Sequence, residues 1–235
     1  MVKIISIEGN IGAGKTTILE KLQRLFKNNR NILFLREPLH IWESIQDSNG
    51  ESILAKFYAN PTAYAFTFQV MAFVTRVSML RKAIKENPNC QMILCERSLE
   101  ADRNVFAKML FDDNMIEDIN YKVYLQFYEE YKEDFKLDGI VYIDSDADVC
   151  YNRIKKRSRT GEEGVPLEYL KNCQEYHNDW LSGINHKLRI ITNDDVTYDM
   201  SDPLDKGMVW LKMIKDYIYG FIEENNTTYS SLSCL

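Results

Sequence analysis

Short apolar runs alternate with longer amphipathic segments along the whole chain of 235 residues. The apolar runs are rich in Ile, Leu and Val and only a few residues long, which is typical of strands buried on both faces. The longer segments repeat apolar side chains every three or four positions, which predicts helices that cover a core. This alternation indicates an α/β domain with a parallel sheet, because parallel neighbours need a helical connection between them.

The pattern predicts five strands, at about residues 2–8, 32–35, 91–95, 140–143 and 188–192. It predicts helices at about residues 15–28, 61–86, 99–111, 117–136, 147–158, 166–183 and 203–224. Asn87-Pro88 ends the longest helix and Pro166 begins another. No linker, repeat or low-complexity segment interrupts the series, so residues 1–224 are expected to form one domain. Residues 225–235 are rich in Asn, Thr and Ser and are expected to form a disordered tail.

The first predicted strand runs directly into Gly9-Asn10-Ile11-Gly12-Ala13-Gly14-Lys15-Thr16, which has the pattern G-x-x-x-x-G-K-[ST]. Between a strand and a helix this pattern predicts a phosphate-binding loop (P-loop), whose N–H groups turn inward towards phosphate. Lys15 is expected to add a charge for the outer phosphates, and Thr16 a hydroxyl for Mg²⁺. Thr17 belongs to the same predicted phosphate site. The alternative, a chance match in a glycine-rich turn, does not explain the flanking strand and helix.

Composition narrows the classes of function. The formal net charge is −6 and the pI is about 5.3, so no nucleic-acid partner is expected. Five cysteines without metal-like spacing suggest a reducing compartment. The first strand begins near Met1, so we expect no signal or transit peptide, and no apolar run approaches membrane-spanning length. We therefore expect a cytoplasmic or nuclear protein with no membrane partner.

Charged residues stand at the carboxyl ends of predicted strands, where parallel sheets bind their ligands. They are Glu8 with Gly9, Glu37, Glu96 with Arg97, and Asp144. Glu37 is a candidate general base for an attacking hydroxyl, or else a strand-end charge in solvent. Glu96 stands where many P-loop proteins hold magnesium, usually through Asp. Arg97 is a candidate to hold the Glu37 carboxylate or to offset charge in the transition state.

The long middle helix carries Gln69, Ala72, Phe73 and Arg76 at spacings of three, four and seven, which places them on one face. An amide and a guanidinium on an apolar face suit the hydrogen-bonding edge of a nucleobase, and neighbouring aromatic rings suit its flat faces. The alternative is an amphipathic helix whose Gln and Arg reach water. The spacing alone does not decide between them.

A basic cluster follows the fourth strand. Its members are Arg153, Lys155, Lys156, Arg157 and Arg159, and a segment with two glycines comes next. One interpretation is a lid at about residues 153–164 that closes positive charge over a triphosphate and excludes water. The other is a solvated helix end.

Taken together and in order, these motifs resemble the deoxyribonucleoside kinase family, which includes deoxycytidine, deoxyguanosine and insect multisubstrate kinases. The matching segments are residues 7–16, 37–38, 66–69, 96–98, 102–103 and 166–170. The resemblance covers about residues 2–192. It implies a P-loop NTPase-type α/β fold with a five-stranded parallel sheet, helices on both faces and a lid segment. It also implies transfer of the γ-phosphate of ATP, or sometimes UTP, to the 5′-hydroxyl of a deoxynucleoside substrate.

The resemblance assigns roles to the chemistry-bearing residues. Glu37 matches the general base, Arg97 the arginine beside the 5′-hydroxyl, and Glu96 the magnesium-linked carboxylate. The lid arginines are matched by Arg153, Arg157 and Arg159. A loop around the ATP adenine is expected near residues 193–196, where this chain diverges from the family. A homodimer through the helices at about 61–86 and 99–111 is also implied.

The resemblance assigns further residues to the nucleoside itself. Tyr58 and Glu162 match the pair that holds the 3′-hydroxyl. Gln69 matches the glutamine that forms two hydrogen bonds with the base. The residues that line or stack the base are Trp42, Phe68 and Phe106.

Ala72, Arg76 and Asp102 match the combination found in the deoxycytidine and deoxyguanosine members. Thymidine-accepting members carry apolar residues at the positions of Ala72 and Arg76 and a small residue at the position of Asp102. Asp102 would accept from the amino group of cytosine or adenine, whereas thymine presents a carbonyl there and leaves buried groups unpaired. Guanine also carries a carbonyl, so it needs another pose or donation from Arg76. Deoxycytidine or a purine deoxynucleoside is therefore expected over thymidine.

Four other functions compete with this one: a multisubstrate kinase that accepts thymidine, a non-catalytic relative that serves a respiratory complex as an accessory subunit, a GTPase switch, and a nucleoside monophosphate kinase. The presence of Lys15, Thr16, Glu37 and Arg97 argues against a degenerate site. No Asn-Lys-x-Asp guanine reader follows a strand, which argues against a GTPase. Monophosphate kinases usually need additional basic residues for the acceptor phosphate.

Overall fold

Five strands form one all-parallel sheet, as the pattern predicted. The structure is a computed structural model that describes residues 2–157 and 164–232, with side chains to residue 222. The strands are β1 (Lys3–Gly9), β2 (Ile32–Leu35), β3 (Met92–Glu96), β4 (Gly139–Asp144) and β5 (Lys187–Ile191). They lie in the order β2-β3-β1-β4-β5, so β1 is central. The P-loop therefore leaves the middle of the sheet, where the chain order switches sides and ligands bind.

Helices connect the strands on both faces. They are α1 (Lys15–Leu25), α2 (Leu39–Ser44), α3 (Ile53–Ala59), α4 (Pro61–Glu86), α5 (Leu99–Ala101), a π-helical stretch (Asp102–Ala107), α6 (Lys108–Asp112), α7 (Asp118–Tyr131), α8 (Ala147–Arg157), α9 (Leu167–Ser182) and α10 (Lys206–Leu232). The sequence pattern missed α2 and α3, because helices this short show too few turns for a periodicity to emerge.

Three predicted helices differ clearly from those observed. The helix expected at about 117–136 ends at Tyr131. The helix expected at 99–111 is interrupted by the π-helical stretch at Asp102–Ala107, a departure that often marks functional sites. The last helix continues to Leu232, past the end predicted at about 224. Once a helix has formed, each further residue adds one hydrogen bond, so polar Asn, Thr and Ser need not stop it.

The two faces of the sheet bury separate cores. Ile5 and Ile7 of β1 face α1 and α10, where Leu19 and Ile218 pack against them in one cluster. Ile4 lies in a second cluster, which contains Phe73 of α4 and Tyr124 of α7. Both faces of β1 are thus covered by helices, which explains its nearly continuous apolar sequence.

By length and composition alone, α4 could cross a membrane. This differs from the expectation that no apolar run approaches that length. In the fold, 44% of its most apolar window is buried, and the core helix of a globular domain passes the same test.

Candidate active site

The P-loop turns through two glycines in the left-handed region. Gly12 has φ 82° and Gly14 has φ 95°, conformations that side chains disfavour. A Cβ on Gly12 would lie 2.6 Å from the carbonyl oxygen of Cys150, so α8 packs directly on the loop. The Asn10 side chain anchors the loop to α9, because its Nδ2 donates to the Leu170 carbonyl at 2.8 Å.

Lys15 lies inside this loop. Its Nζ donates to the carbonyls of Asn10 at 2.8 Å and Gly9 at 3.2 Å. Burial and the nearby charge of Arg97 lower the pKa of Lys15 to about 8. An anion near this ammonium would counter both effects, so the site favours a bound phosphate.

Thr16 and Glu96 form an oxygen pair at the start of α1. The Thr16 hydroxyl is 2.8 Å and 3.0 Å from the two carboxylate oxygens of Glu96. Hydroxyl and carboxylate oxygens are ligands that suit Mg²⁺, which is usually held by one or two protein groups plus substrate phosphates. Among the described residues no cluster of three or more His, Cys, Asp or Glu could hold a metal ion.

Glu37 follows β2 and is held by two arginines. Its Oε1 lies 3.2 Å from Nε of Arg97 and 3.4 Å from Nη2 of Arg76, and its side chain is 16% exposed. Burial alone would raise the pKa of Glu37, but the charges of Arg97 and Arg76 outweigh burial, so the pKa lies below its ordinary value. Glu37 is thus an oriented, ionised carboxylate rather than a solvated strand end.

Arg76 and Asp102 form a buried two-pronged ion pair. Nε of Arg76 donates to Asp102 Oδ2 at 2.8 Å, and Nη2 donates to Oδ1 at 3.2 Å. Arg76 Nη1 also donates to the Glu96 carbonyl at 2.9 Å. The side chains of Arg76 and Gln69 are almost wholly buried, so the alternative in which they reach water is wrong.

A cleft of about 680 Å³ opens beside these groups and has aromatic walls. The Trp42 ring meets Phe68 edge-on, and its Nε1 donates to the Thr75 hydroxyl at 2.9 Å. Phe57 stacks on Phe68 with 4.7 Å between ring centroids, and Phe106 lies under the Arg97 guanidinium at 4.5 Å. The predicted substrate residues that line this cleft are Glu37, Trp42, Tyr58, Phe68, Gln69, Ala72, Arg97, Asp102 and Phe106. We call it the acceptor cleft.

A second cleft, of about 890 Å³, lies on the other side of the P-loop, and we call it the donor cleft. The predicted residues that line it are Gly12, Ala13, Gly14, Lys15, Thr16, Thr17, Glu96, Arg153 and Arg157. The residues shared with the acceptor cleft are Gly12, Lys15, Thr16, Glu96 and Arg157. The two clefts therefore meet at the ammonium of Lys15 and the Thr16–Glu96 pair.

Several predicted residues have other positions. Arg76, expected to contact the substrate, lines neither cleft and pairs with Asp102 instead. Asp144 lines neither cleft, since its carboxylate accepts from Nε of Arg189 at 2.7 Å. Glu8 is also outside both clefts, wholly buried beneath them. Arg153 lines the donor cleft, but its Nη2 donates to the carbonyls of Thr192 and Asp194 at 2.7 Å and 2.9 Å. Arg159 and Glu162 lie outside the described residues.

Sequence reasoning missed some cleft residues. Asp194, Asp195 and Val196 do line the donor cleft, within the segment expected around adenine, but Tyr198 and Trp210 join them unpredicted. The acceptor cleft adds Leu39, Leu54, Phe57 and Tyr169. Phe57 sits on the unpredicted α3, so no helical pattern marked it. Tyr169 lies in the matching segment at residues 166–170, but nothing in that segment assigned it a function.

The central P-loop and the sheet order define the class of P-loop nucleotide-binding proteins, and a second cleft adjoins the P-loop. Comparison with known proteins gives the particular family. Residues 5–216 match the deoxynucleoside kinase family, and the chain belongs to it. The resemblance predicted from the motifs is confirmed, and the protein is an enzyme, a deoxynucleoside kinase.

Individual relatives carry related names. The chain is 36% identical over 220 residues to a "probable deoxycytidine kinase" of Fowlpox virus (strain NVSL), covering 92% of this chain and 88% of that protein. It is 30% identical over 200 residues to the deoxycytidine kinase of Homo sapiens, covering 77% and 75%. It is 28% identical over 200 residues to the mitochondrial deoxyguanosine kinase of Xenopus laevis, covering 77% and 74%.

Proposed function

We propose that this chain phosphorylates the 5′-hydroxyl of deoxycytidine or a purine deoxynucleoside, in preference to thymidine, with ATP as donor and Mg²⁺ as the ion. The observation that carries the proposal is the Glu37–Arg97 ion pair, which lines the acceptor cleft where that cleft meets the P-loop. A nucleoside in the acceptor cleft would present its hydroxyl to Glu37, with a donor phosphate held beside it. Such positioning supplies most of the catalysis in phosphoryl transfer.

Glu37 accepts the proton of the 5′-hydroxyl as its oxygen attacks phosphorus. The two arginines keep the carboxylate ionised and aimed into the cleft. A carboxylate of low pKa is a weak base, but a loose transition state places little demand on early proton removal. Glu37 therefore contributes through orientation as well as basicity.

Lys15, the P-loop N–H groups and Arg157 neutralise charge on the transferred phosphate. Arg157 lines both clefts, so a residue of the predicted lid stands at their junction. Thr16 and Glu96 are the residues that would hold Mg²⁺, which supplies charge neutralisation on the phosphate oxygens when bound. Excluding water from this junction would favour transfer to the nucleoside over hydrolysis.

The base end of the acceptor cleft supports an amino-bearing base. Gln69 and Asp102 offer donors and acceptors to the cleft, and Arg76, which does not line it, holds the Asp102 carboxylate. A carboxylate oxygen at this position attracts an exocyclic amino group and repels the carbonyl of thymine. The names of the deoxycytidine and deoxyguanosine kinase relatives agree with this preference.

The direct test measures kcat/KM for the four deoxynucleosides with ATP and Mg²⁺. We expect deoxycytidine, deoxyadenosine or deoxyguanosine to exceed thymidine. Equal kcat/KM for thymidine and deoxycytidine would support the multisubstrate alternative instead. Turnover of dCMP or dTMP in place of nucleosides would indicate a monophosphate kinase, and no turnover at all would indicate the non-catalytic relative.

Donor affinity should weaken at alkaline pH. Lys15 with a pKa of about 8 is mostly charged at neutral pH and mostly neutral near pH 9. Because phosphate binding favours the charged form, binding takes up a proton, and we expect the Kd for ATP to rise about tenfold between pH 7 and pH 9. Isothermal titration calorimetry in buffers of different ionisation enthalpy measures both the Kd and the proton uptake.

Lys15→Arg is the matched control, since a guanidinium stays charged throughout this range. We expect the variant to bind ATP more weakly but with little dependence on pH up to 9. The same steep pH dependence in Lys15→Arg would remove Lys15 as its cause.

We propose that the protein is a homodimer through α4, where Val74 is 49% exposed, and α7, rather than through the helix at 99–111. Val105 and Met109 of that helix are wholly buried within the protomer. On α7, by contrast, Ile119, Val123 and Phe127 are exposed at spacings of four, which forms an apolar stripe on the helix surface.

Val123→Glu should convert the dimer to a monomer, because a charge at the centre of this stripe would be desolvated in the interface. Light scattering after size exclusion should give the 27.6 kDa protomer mass for the variant and twice that for the wild type. Met213→Glu on α10 is the control: Met213 is 43% exposed and Val123 is 41% exposed. A variant that stays dimeric, or a wild type that is monomeric, contradicts the proposal.

A further inference from the structure

Glu8 is a wholly buried carboxyl group that the mechanism above does not use. It lies one residue before the P-loop in β1, on the sheet face beneath α5. Its Oε1 accepts a hydrogen bond from the Ser98 hydroxyl at 2.6 Å. Its Oε2 is buried without a hydrogen-bond partner among the described residues. Burying a carboxyl group in this way costs free energy, so we look for a contribution to structure or function that offsets this cost.

Ser98 stands at a strained point of the backbone. The preceding residue, Arg97, has φ 65°, which a bulky side chain rarely adopts and which the surrounding structure must hold in place. The Ser98 hydroxyl also accepts from the Ala101 N–H at 3.1 Å, so Ser98 caps the helix that leads to Asp102 and Phe106.

Three consecutive residues of β1 hold this point. The Ile7 carbonyl accepts from the Arg97 backbone N–H at 3.1 Å. Glu8 accepts from Ser98, and the Gly9 carbonyl accepts from Nη1 of Arg97 at 3.0 Å. Of the three contacts, only the one made by Glu8 uses a side chain of β1. Among these three contacts it is therefore the one that a side-chain substitution in β1 can remove while the backbone hydrogen bonds stay in place.

We propose that Glu8 is a positioning residue for phosphoryl transfer: by accepting the Ser98 hydrogen bond, it holds Arg97 in the left-handed conformation that pairs with Glu37. This inference rests on the proposed function, because it assumes that the Glu37–Arg97 pair handles the 5′-hydroxyl. Without Glu8, the Arg97 backbone can relax towards a commoner conformation. Its guanidinium would then leave Glu37, and the carboxylate would lose its orientation.

Burial favours the neutral form of Glu8. Burial raises the pKa of Glu8, against the Ser98 hydrogen bond and the Arg97 charge, which lower it. Burial, together with the charge of Glu8, also raises the pKa of Glu100 to about 7. Two carboxyl groups in one buried region disfavour double ionisation. Glutamine, which is neutral and has the same shape, is therefore a close mimic of Glu8.

The test compares variants of the full chain by kcat and KM with deoxycytidine and ATP. Glu8→Ala should lower kcat about tenfold with little change in either KM, the scale of leaving one buried hydrogen-bonding group without its partner. Glu8→Gln should stay within about threefold of the wild type, because its amide oxygen accepts the same hydrogen bond. Cys90→Ala is the control for a substitution in the core, since Cys90 is also buried but lines neither cleft, and it should leave kcat unchanged.

A double-mutant cycle shows whether Glu8 acts through Arg97. In an Arg97→Ala background, Glu8→Ala should change kcat by less than about twofold, because the group it positions is gone. If the two effects multiply instead, or if Glu8→Gln is as impaired as Glu8→Ala, the proposal is wrong. Should Glu8→Ala fail to fold, Ser98→Ala removes the same hydrogen bond from the other end and should lower kcat at least as much. Wild-type turnover of deoxycytidine tests the proposed function separately.

Discussion

Glu37→Gln is expected to lower kcat for deoxycytidine by about 10²–10⁴-fold, the usual contribution of a general base. The amide keeps the size of the side chain and can still accept a hydrogen bond from the 5′-hydroxyl. It cannot take the proton, and it weakens the attraction that draws Arg97 and Arg76 to this point. We therefore expect KM for the nucleoside to stay within about threefold while turnover collapses, because binding survives and the transition-state interaction is lost.

The pH dependence of kcat/KM tests the role of Glu37 independently. The pKa of Glu37 lies below its ordinary value of 4.5, so the base is ionised across the neutral range. Ionised Glu37 also stabilises the fold above that pH, and this stability is lost as the pH falls through the lowered pKa. We expect no acidic decline of kcat/KM from Glu37 between pH 5 and pH 7.

Glu43→Gln is the matched control for this substitution. Glu43 lies a short distance along the chain, on α2, and is exposed, so the same chemical change there should leave turnover unaltered. A loss of less than threefold in Glu37→Gln, with Glu43→Gln at wild-type activity, would remove Glu37 from the role of base.

Arg76→Met combined with Asp102→Ala should raise the ratio of kcat/KM for thymidine to that for deoxycytidine by about 10²-fold or more. A site that hydrogen-bonds one base rejects the other through unpaired buried groups, and such discrimination reaches about 10⁴–10⁵. The double variant removes the carboxylate that would face the thymine carbonyl and leaves an apolar wall. Absolute activity with deoxycytidine should fall, since Arg76 also contacts Glu37 and the Glu96 carbonyl.

Both residues must change together. Removing one partner of a buried ion pair leaves an uncompensated charge and costs about 3–5 kcal/mol, whereas replacing the pair with apolar groups is often tolerated. Either single variant would therefore report mainly on folding. The double variant keeps the region neutral and lets specificity be measured on a folded protein.

An exposed ion pair between α4 and the turn after α7 supplies the control. Arg81 and Asp134 lie 4.0 Å apart with side chains 57% and 60% exposed. Arg81→Met with Asp134→Ala makes the same chemical change away from the cleft and should leave the thymidine ratio unchanged. If the Arg76 and Asp102 double variant gains no thymidine activity relative to deoxycytidine, those side chains do not read the base.

The secondary structure was predictable where an element was long or clearly bounded. Helix α4 was predicted with its observed bounds, because 26 residues give many turns of periodicity between Pro61 and Asn87. Helices α2 and α3, with six and seven residues, were missed for the opposite reason. The π-helical stretch was also missed, since nothing in the local sequence distinguishes it from α-helix.

Several residues of the candidate site were predictable from the sequence, and so was one contact, between Arg97 and Glu37. Glu37, Arg97, Gln69 and Asp102 were named from strand ends, helix spacing and resemblance, and all of them line the acceptor cleft. The same strand-end rule also selected Asp144, which pairs with Arg189 instead. A strand end places a residue at the correct edge of the sheet, but the side chain alternates between faces, and packing decides which groups it meets.

The amino-acid sequence by itself determined the α/β class, the P-loop and the family, because these depend on periodicity and on short motifs whose residues act through the local backbone. Only the tertiary structure decided that Arg76 is buried against Asp102, that Glu37 stands between two guanidinium groups, and that Glu8 holds Ser98 from beneath. Each of these contacts joins residues at least 26 positions apart. Their energies depend on burial and on charges brought together from separate strands and helices, which no local pattern encodes.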